Sequence, residues 1–268
     1  MVGIGNSEDQ TTDEVQRRKR RARSFGAQAA VYAEHRPDYP EAGIRWALEA
    51  VGDRDGIVVL DLGAGTGKLT GGLLAAGVEV IAVEPDAGMR AELVRLYPGV
   101  TALSGAAEAI PLADGTVDAV LAGQAFHWFD QALAFPEIAR VLRANGVFAA
   151  FWNTDDNTVE WVAGLRDVSR SSASFPPSSS DDPLPAHPLF APFEYAEFAH
   201  SQRRTAESLT ASIGTNSHTV IISPKERAEV LGRILDYLHA TPETAEGEFD
   251  FPLRTEVIRA VRRANTPR

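Results

Sequence analysis

The sequence predicts a doubly wound, Rossmann-like α/β fold, and three observations carry that expectation. Apolar runs suited to buried strands alternate with stretches of helical period between about residues 57 and 152. The first run, Ile57 to Leu62, leads directly into three alternate glycines, Gly63, Gly65 and Gly67. The second ends on an acidic residue, Glu84. In sheets of this kind helices cover both faces and ligands lie at the carboxyl ends of the strands. Glycines there let the backbone turn sharply and approach a ligand, and an acidic residue can accept hydrogen bonds from both hydroxyls of a ribose. The layout therefore suits an adenosine-containing cofactor.

Taken in order, residues 1–12 are polar and are expected to be disordered, and 1–23 reads as a disordered or frayed tail. Ile44, Ala47, Leu48 and Val51 share one helical face, with Pro40 near the start. The first strand covers 57–62. A helix runs from about Lys68 to Gly77, and the second strand covers 78–83. Met89, Leu93, Leu96 and Tyr97 repeat at helical spacing until Pro98. A short strand follows near 101–103. Asp114-Gly115 turns into a strand at Val117–Ala122, a helix carries Ala134, Ile138, Val141 and Leu142, Asn145-Gly146 closes it, and a fifth strand covers 147–152. Residues 169–188 are rich in Ser and Pro and are expected to form a mobile excursion. Ser223-Pro224-Lys225-Glu226 reads as a capping box with proline at the first helical position, before a helix face of Val230, Leu231, Ile234 and Leu238. Periodicity leaves 251–263 open between strand and helix. No internal repeat is present.

Composition narrows the function. The chain has 268 residues, 44% of them hydrophobic, and no apolar stretch approaching the ~20 needed to span a bilayer. It lacks a signal-peptide h-region and any cysteine, which excludes thiolate chemistry and fits a reducing cytoplasm. Its formal net charge of −11 repels phosphate backbones, so neither nucleic acid nor membrane is an expected partner. The basic run Arg17 to Arg21 with Arg23 reads as a solvated terminal helix. His35, His187, His200, His218 and His239 show no metal-binding spacing, and no metal is expected.

Spacing selects among nucleotide-binding turns. A dinucleotide fingerprint counted from Gly63 puts Lys68 where its third glycine should stand. A phosphate loop counted back from Gly67-Lys68 puts Leu62 at its first glycine and Leu69 after the lysine. What remains is D-x-G-x-G-x-G, from Asp61 to Gly67, which resembles motif I of the class I S-adenosylmethionine-dependent methyltransferases.

Three further stretches extend this likeness over about residues 24–268. Phe25-Gly26, Tyr32, Arg36-Pro37 and Tyr39-Pro40 resemble the F…Y…RPxYP of a small-molecule branch that includes trans-aconitate methyltransferase-like proteins. Gly105 to Pro111 resembles its G-x-A-E-x-x-P, and Gln124-Ala125-Phe126-His127-Trp128-Phe129 resembles its Q-A-x-H-W-F. One departure is Ala144-Asn145-Gly146, where the family has Pro-Gly-Gly; a turn still forms. The resemblance implies one domain over 24–268, with a lid and helix (24–55), a cofactor core (56–153), and substrate-side helices with the last two strands (154–268). It implies a seven-stranded, mostly parallel sheet with one antiparallel C-terminal strand. That strand is expected over about 252–263, beside the fifth, pairing with one near 193–204.

The resemblance also implies S-adenosyl-L-methionine as cofactor, a small-molecule acceptor, and a monomer or homodimer. Asp61 would meet the methionyl ammonium. Gly63, Ala64, Gly65 and Gly67 would face the methionine end, and Glu84 and Pro85 the ribose. Met89, Ala107 and Glu108 would lie along adenine. Gln124 stands at a strand end, and Tyr32 and Arg36 would close over the cofactor. Displacement at a sulfonium depends chiefly on alignment, and a base is needed only for a neutral acceptor. His127 is the candidate base; its other reading is pocket shaping. Tyr39, His127, Trp128, Trp152, Asn153, Ser217 and His218 are the candidate acceptor contacts, with specificity expected after residue 153. A binding protein without turnover, or one with other chemistry, would share the same cofactor residues.

Overall fold

The computed structural model describes residues 36–52, 55–174, 186–215 and 217–264. The chain order is α1 (Glu41–Glu49), β1 (Val58–Leu62), α2 (Lys68–Ala75), β2 (Glu79–Val83), α3 (Ala87–Leu96), β3 (Thr101–Leu103) and β4 (Val117–Gly123). A 3-10 turn, Phe126–Trp128, precedes α4 (Gln131–Val141), β5 (Leu142–Asp155), α5 (Glu160–Val168), β6 (Glu194–Arg204), α6 (Ala206–Ile213), α7 (Ser217–Val220), α8 (Pro224–Ala240) and β7 (Phe249–Val261).

The strands form one seven-stranded sheet, ordered β3-β2-β1-β4-β5-β7-β6. Pairings from β3 through β5 are parallel, while β7 runs antiparallel to both β5 and β6. The C-terminal segment is thus the expected antiparallel strand. Val147 pairs with Val261 on one side of it, and Arg204 with Phe249 on the other. Phe251, Leu253, Thr255 and Val257 are buried at every second position, the period that settles strand over helix.

Period two also divides the core. Leu60, Leu62, Val120, Phe148 and Ile258 pack under α4 with Phe126 and Ile138. Val59, Leu121, Phe151 and Val257 pack on the other face with Ile44, Leu69 and Leu73 of α1 and α2. A third cluster joins α5, α6 and α8 to the start of β7 through Val162, Leu209, Ile234, Phe249 and Phe251. It adds a separate wall at one end of the sheet.

Three local expectations change. Leu142 leaves the helix and opens β5, which extends over 142–155 rather than 147–152. Asn145 takes φ of 62°, so the Asn145-Gly146 turn sits inside the strand, and the register with β4 shifts between Val117 and Ala119. The capping box at α8 is half formed. Ser223 accepts from Glu226 N, but the Glu226 carboxylate accepts from Ser172 N and Oγ instead. Most of the Ser/Pro-rich stretch, 175–185, lies outside the described residues, as do Tyr32 and the 1–23 tail. Among the described residues no helix is long and apolar enough to cross a membrane.

Candidate functional site

A cavity of about 680 Å³ lies across the carboxyl ends of the strands, within the usual range of small-molecule sites. Its first wall is the glycine turn. Gly63 N and Ala64 N donate to Val83 O at 2.8 and 3.1 Å, tying the turn to β2. The three glycines serve different needs. Gly63 (φ 71°) has Ala125 so near that a Cβ would stand 2.8 Å from Cβ of that residue. Gly65 (φ 57°) faces open space on the cavity side. Gly67 (φ 90°) is off the cavity wall; it starts α2, and a Cβ there would meet Tyr97 at 2.8 Å. The need seen here is for room against Tyr97 and for a positive φ.

Asp61, the last residue but one of β1, is fully buried. Thr70 Oγ1, from α2, donates to its Oδ2 at 2.6 Å, while Oδ1 has no hydrogen-bond partner among the described residues. Burial pushes the Asp61 carboxyl up to about 7; the Thr70 bond opposes this and the Glu84 charge adds to it. An acceptor oxygen left bare beside a cavity fits a cationic donor from a ligand.

Glu84, just past β2, is nearly buried. Its Oε2 accepts from Gly65 N at 2.9 Å and its Oε1 from Asp86 N at 2.8 Å. Burial also raises this carboxyl, against the two backbone bonds. Each oxygen keeps a further lone pair, so the carboxylate can take two ligand hydroxyls without giving up the turn. Pro85 and the buried Met89 continue this wall, with Asp86 capping α3 at Met89 N.

Across from it, Ala106 bridges Ala109, which leaves Ala107 and Glu108 on the cavity. Glu108 Oε1 accepts from Asp130 N at 2.8 Å. Glu137 and Arg140 of α4 clamp the following loop: Glu137 Oε2 accepts from Ile110 N, and Arg140 donates to Ile110 O and Leu112 O. Gln124 holds φ of 50°, rare for a residue with a side chain, because its N–H donates to Phe151 O and its Nε2 to Asn153 O at 2.8 Å. His127 and Trp128 follow on the 3-10 turn, both on the cavity, with ring centroids 4.7 Å apart.

The segment entering α1 closes one side. Arg36, Pro37 and Tyr39 line the cavity, and Tyr39 meets Phe151 edge-on at 5.5 Å. Lys68 Nζ pairs with Asp38 at 3.0 Å, and Asn153 Nδ2 donates to Asp38 O at 3.0 Å. Behind Asn153, Thr255 Oγ1 donates to Asn153 Oδ1 at 2.5 Å and lies 2.9 Å from His200 Nε2. The Thr255 proton being committed to Asn153, His200 Nε2 is the donor in the second bond.

Trp152 does not join the site. It packs against Phe126 at 6.2 Å under the opposite face, because neighbours on a strand point opposite ways. Ser217 and His218 begin the short helix α7. The far wall, absent from the expectations above, holds Gln202, Arg204, Leu209, Ile213, Phe251 and Leu253. Thr70, Lys68 and Asp38 were missed likewise; each acts through a contact between elements that no local spacing announces.

A methyltransferase-domain family model matches residues 60–150. An uncharacterized methyltransferase of Mycobacterium tuberculosis is 37% identical over 238 residues, 88% of this chain and 95% of the relative. An uncharacterized methyltransferase-like protein of Schizosaccharomyces pombe is 34% identical over 225 residues, 82% of this chain and 87% of its own. The solved structure of an Anaeromyxobacter dehalogenans protein, described as a candidate type II methyltransferase, is 29% identical. It covers 85% of this chain and 97% of its own, with a TM-score of 0.62.

Proposed function

This chain belongs to the class I methyltransferases, and from that premise we propose that it transfers a methyl group from S-adenosyl-L-methionine to an oxygen of a small-molecule acceptor, a carboxylate or a hydroxyl. The observation that carries the reading is the bare, buried Oδ1 of Asp61, on the same cavity as Glu84 and the open face of Gly65.

These residues fit the cofactor. Asp61 would hold the methionyl ammonium, whose charge favours the ionised carboxylate that burial disfavours. Glu84 would take the ribose diol. Met89, Ala107 and Glu108 would border adenine, and Arg36 would face the cofactor carboxylate. When bound, S-adenosylmethionine supplies an activated methyl on a sulfonium, whose carbon–sulfur bond breaks toward sulfur as the acceptor bond forms. The protein's share is alignment and exclusion of water. For a hydroxyl acceptor, His127 takes the proton at a ring nitrogen; a carboxylate acceptor releases none.

Within the family we assign the chain to the small-molecule branch resembling trans-aconitate methyltransferase-like proteins, on the F…Y…RPxYP and Q-A-x-H-W-F stretches. We read 24–55 as lid and first helix, 56–153 as cofactor core and 154–268 as acceptor side, acting in the cytoplasm as a monomer or homodimer without nucleic acid. A cavity of small-molecule size and an acidic chain support this.

Isothermal titration with S-adenosylmethionine, then labelled-methyl transfer to a panel of small acids and alcohols, tests the reading. Micromolar binding and a labelled ester or ether are expected. No binding would overturn the cofactor assignment, and binding with no transfer to any acceptor would overturn the enzymatic one.

A further inference from the structure

β5 outruns its parallel neighbour. Gly123, the last residue of β4, pairs with Phe151, and β5 continues to Asp155, still paired with β7. At about 3.3 Å per residue this carries Asp155 roughly 13 Å past the end of β4. The residues assigned to the cofactor stop on β4, with Gln124. Asp155 therefore stands over the strand ends, on the acceptor side of the cavity that it lines. Period two puts it on the same face as Asn153, and Leu253 of β7 is its partner in register.

Asp155 differs from the other charged residues of this wall. Asp61 accepts from Thr70, Glu84 from two backbone amides and Glu108 from Asp130 N, while Lys68 pairs with Asp38. Arg36, His127 and Arg204 are likewise engaged. None of the described residues donates a hydrogen bond to the Asp155 carboxylate, whose charged neighbours are Arg166 and Arg36. Its exposed surface faces the cavity, and the protein around it raises the carboxyl by desolvation, the two arginines opposing. An ionised carboxylate offers about four acceptor positions. A ligand that displaces water here without bringing a donor leaves them unpaired. An anionic group would add repulsion. Arg166 and Arg36 already offset the charge, so an uncharged donor suits the place better than a cation. Beyond it the wall turns apolar, with Leu209, Ile213, Phe251 and Leu253 all buried.

Resting on the methyl-transfer reading above, we propose that the acceptor is an uncharged alcohol or phenol with an apolar body, and that Asp155 accepts a hydrogen bond from its hydroxyl group. The body lies along Leu209, Ile213, Phe251 and Leu253. Between carboxylate and hydroxyl acceptors this selects the hydroxyl, and it makes Asp155 a specificity-determining residue.

The experiment is titration of the full chain, saturated with S-adenosylhomocysteine, with naphthylmethanol, its methyl ether, naphthoate and naphthylmethylamine. The four share one apolar body and differ in the group that would meet Asp155. Naphthylmethanol is expected to bind at least ~10-fold more tightly than the ether, which lacks the donor, and than naphthoate, which brings a like charge. The amine is expected to bind no more tightly than the alcohol. Asp155→Leu is expected to bind alcohol and ether alike, and Asp155→Asn to accept naphthoate better than the unaltered chain does. S-adenosylhomocysteine affinity should be unchanged in both variants. Equal binding of alcohol and ether by the unaltered chain overturns the proposal without needing either variant to fold. So does tighter binding of naphthoate or the amine, failure of all four to bind, or a preference for alcohol over ether that persists in Asp155→Leu. Absence of S-adenosylhomocysteine binding would overturn the reading beneath it, and this inference with it.

Discussion

The Thr255 hydroxyl, at the middle of β7, donates to Asn153 Oδ1 on β5 at 2.5 Å, and so fixes which way the Asn153 amide faces. The amide nitrogen is thereby aimed at Asp38 O, and the segment entering α1 is held against the cavity. Burial pushes the His200 imidazole down, Asp38 opposing, which favours the neutral ring that supplies the next bond in the chain.

Thr255→Val keeps the shape but removes this donor. Stability should fall by about 1–3 kcal/mol, the scale for stranding a buried polar partner. Hydrogen exchange at 38–40 should quicken, and S-adenosylmethionine should bind more weakly. Thr255→Ser should restore all three. A Val variant with unchanged exchange at 38–40 would show that the segment is held by Lys68 and packing alone.

Asp61 gives the binding a pH signature. Its carboxyl is raised to about 7 in the folded chain against 3.8 ordinarily, so between those values the folded state binds the extra proton. By linkage the stability contribution from this group falls as pH rises from about 4 to about 7. A cationic ligand needs the ionised form, so S-adenosylmethionine affinity should rise over the same interval and level off above about 7. At pH 7 binding should release protons, read as a binding enthalpy that varies with buffer ionisation heat. Asp61→Asn should weaken binding by about 1.5–3 kcal/mol and abolish the buffer dependence.

Glu84 both faces the cavity and ties down the glycine turn. Glu84→Ala should therefore cost about 1.5–3 kcal/mol in cofactor affinity and also expose the Gly65 amide to faster exchange without ligand. Glu84→Gln, which keeps one acceptor oxygen, should fall between. A lost affinity with an unaltered Gly65 amide would place the effect wholly on the ligand.

The glycines should separate by variant. Gly67→Ala meets Tyr97 and an unfavourable φ, so it should lower the melting temperature. Gly65→Ala meets no atom within 4 Å, so its cost to the fold should be only the backbone strain of about 1–2 kcal/mol, while its methyl intrudes on ligand space. Circular dichroism melts and titration of both variants decide this. Equal loss of binding at equal stability would return Gly67 to the ligand side.

What the sequence revealed follows from how local each signal is. That Asp61 and Glu84 line one cavity was legible, because acidic residues at strand ends beside a glycine turn stand at the carboxyl rim of such a sheet. The strand at 251–263 was not legible from periodicity, since Thr255, Val257 and Ile258 favour strand while Glu256, Arg259 and Ala260 favour helix; the family likeness supplied it. Arg204 carried no signal, being one arginine among many until β6 takes its place beside β7. Gly67 fitted the motif by spacing, but the close approach of the Tyr97 ring, thirty residues on, carried no local signal.

The position of β7 has a consequence for the order of assembly. β6 touches the rest of the sheet only through β7, and β7 pairs residues 253–261 with 147–155, about a hundred positions earlier. Closing so long a loop carries a large entropic cost before any contact repays it. On a growing chain, the strands from β1 to β5 can meet while everything after them is still being made. The far wall with Arg204 and Phe251 cannot exist until nearly the last residues are in hand. The half with the glycine turn is thus available to fold first, and the far wall of the cavity is completed by the final strand.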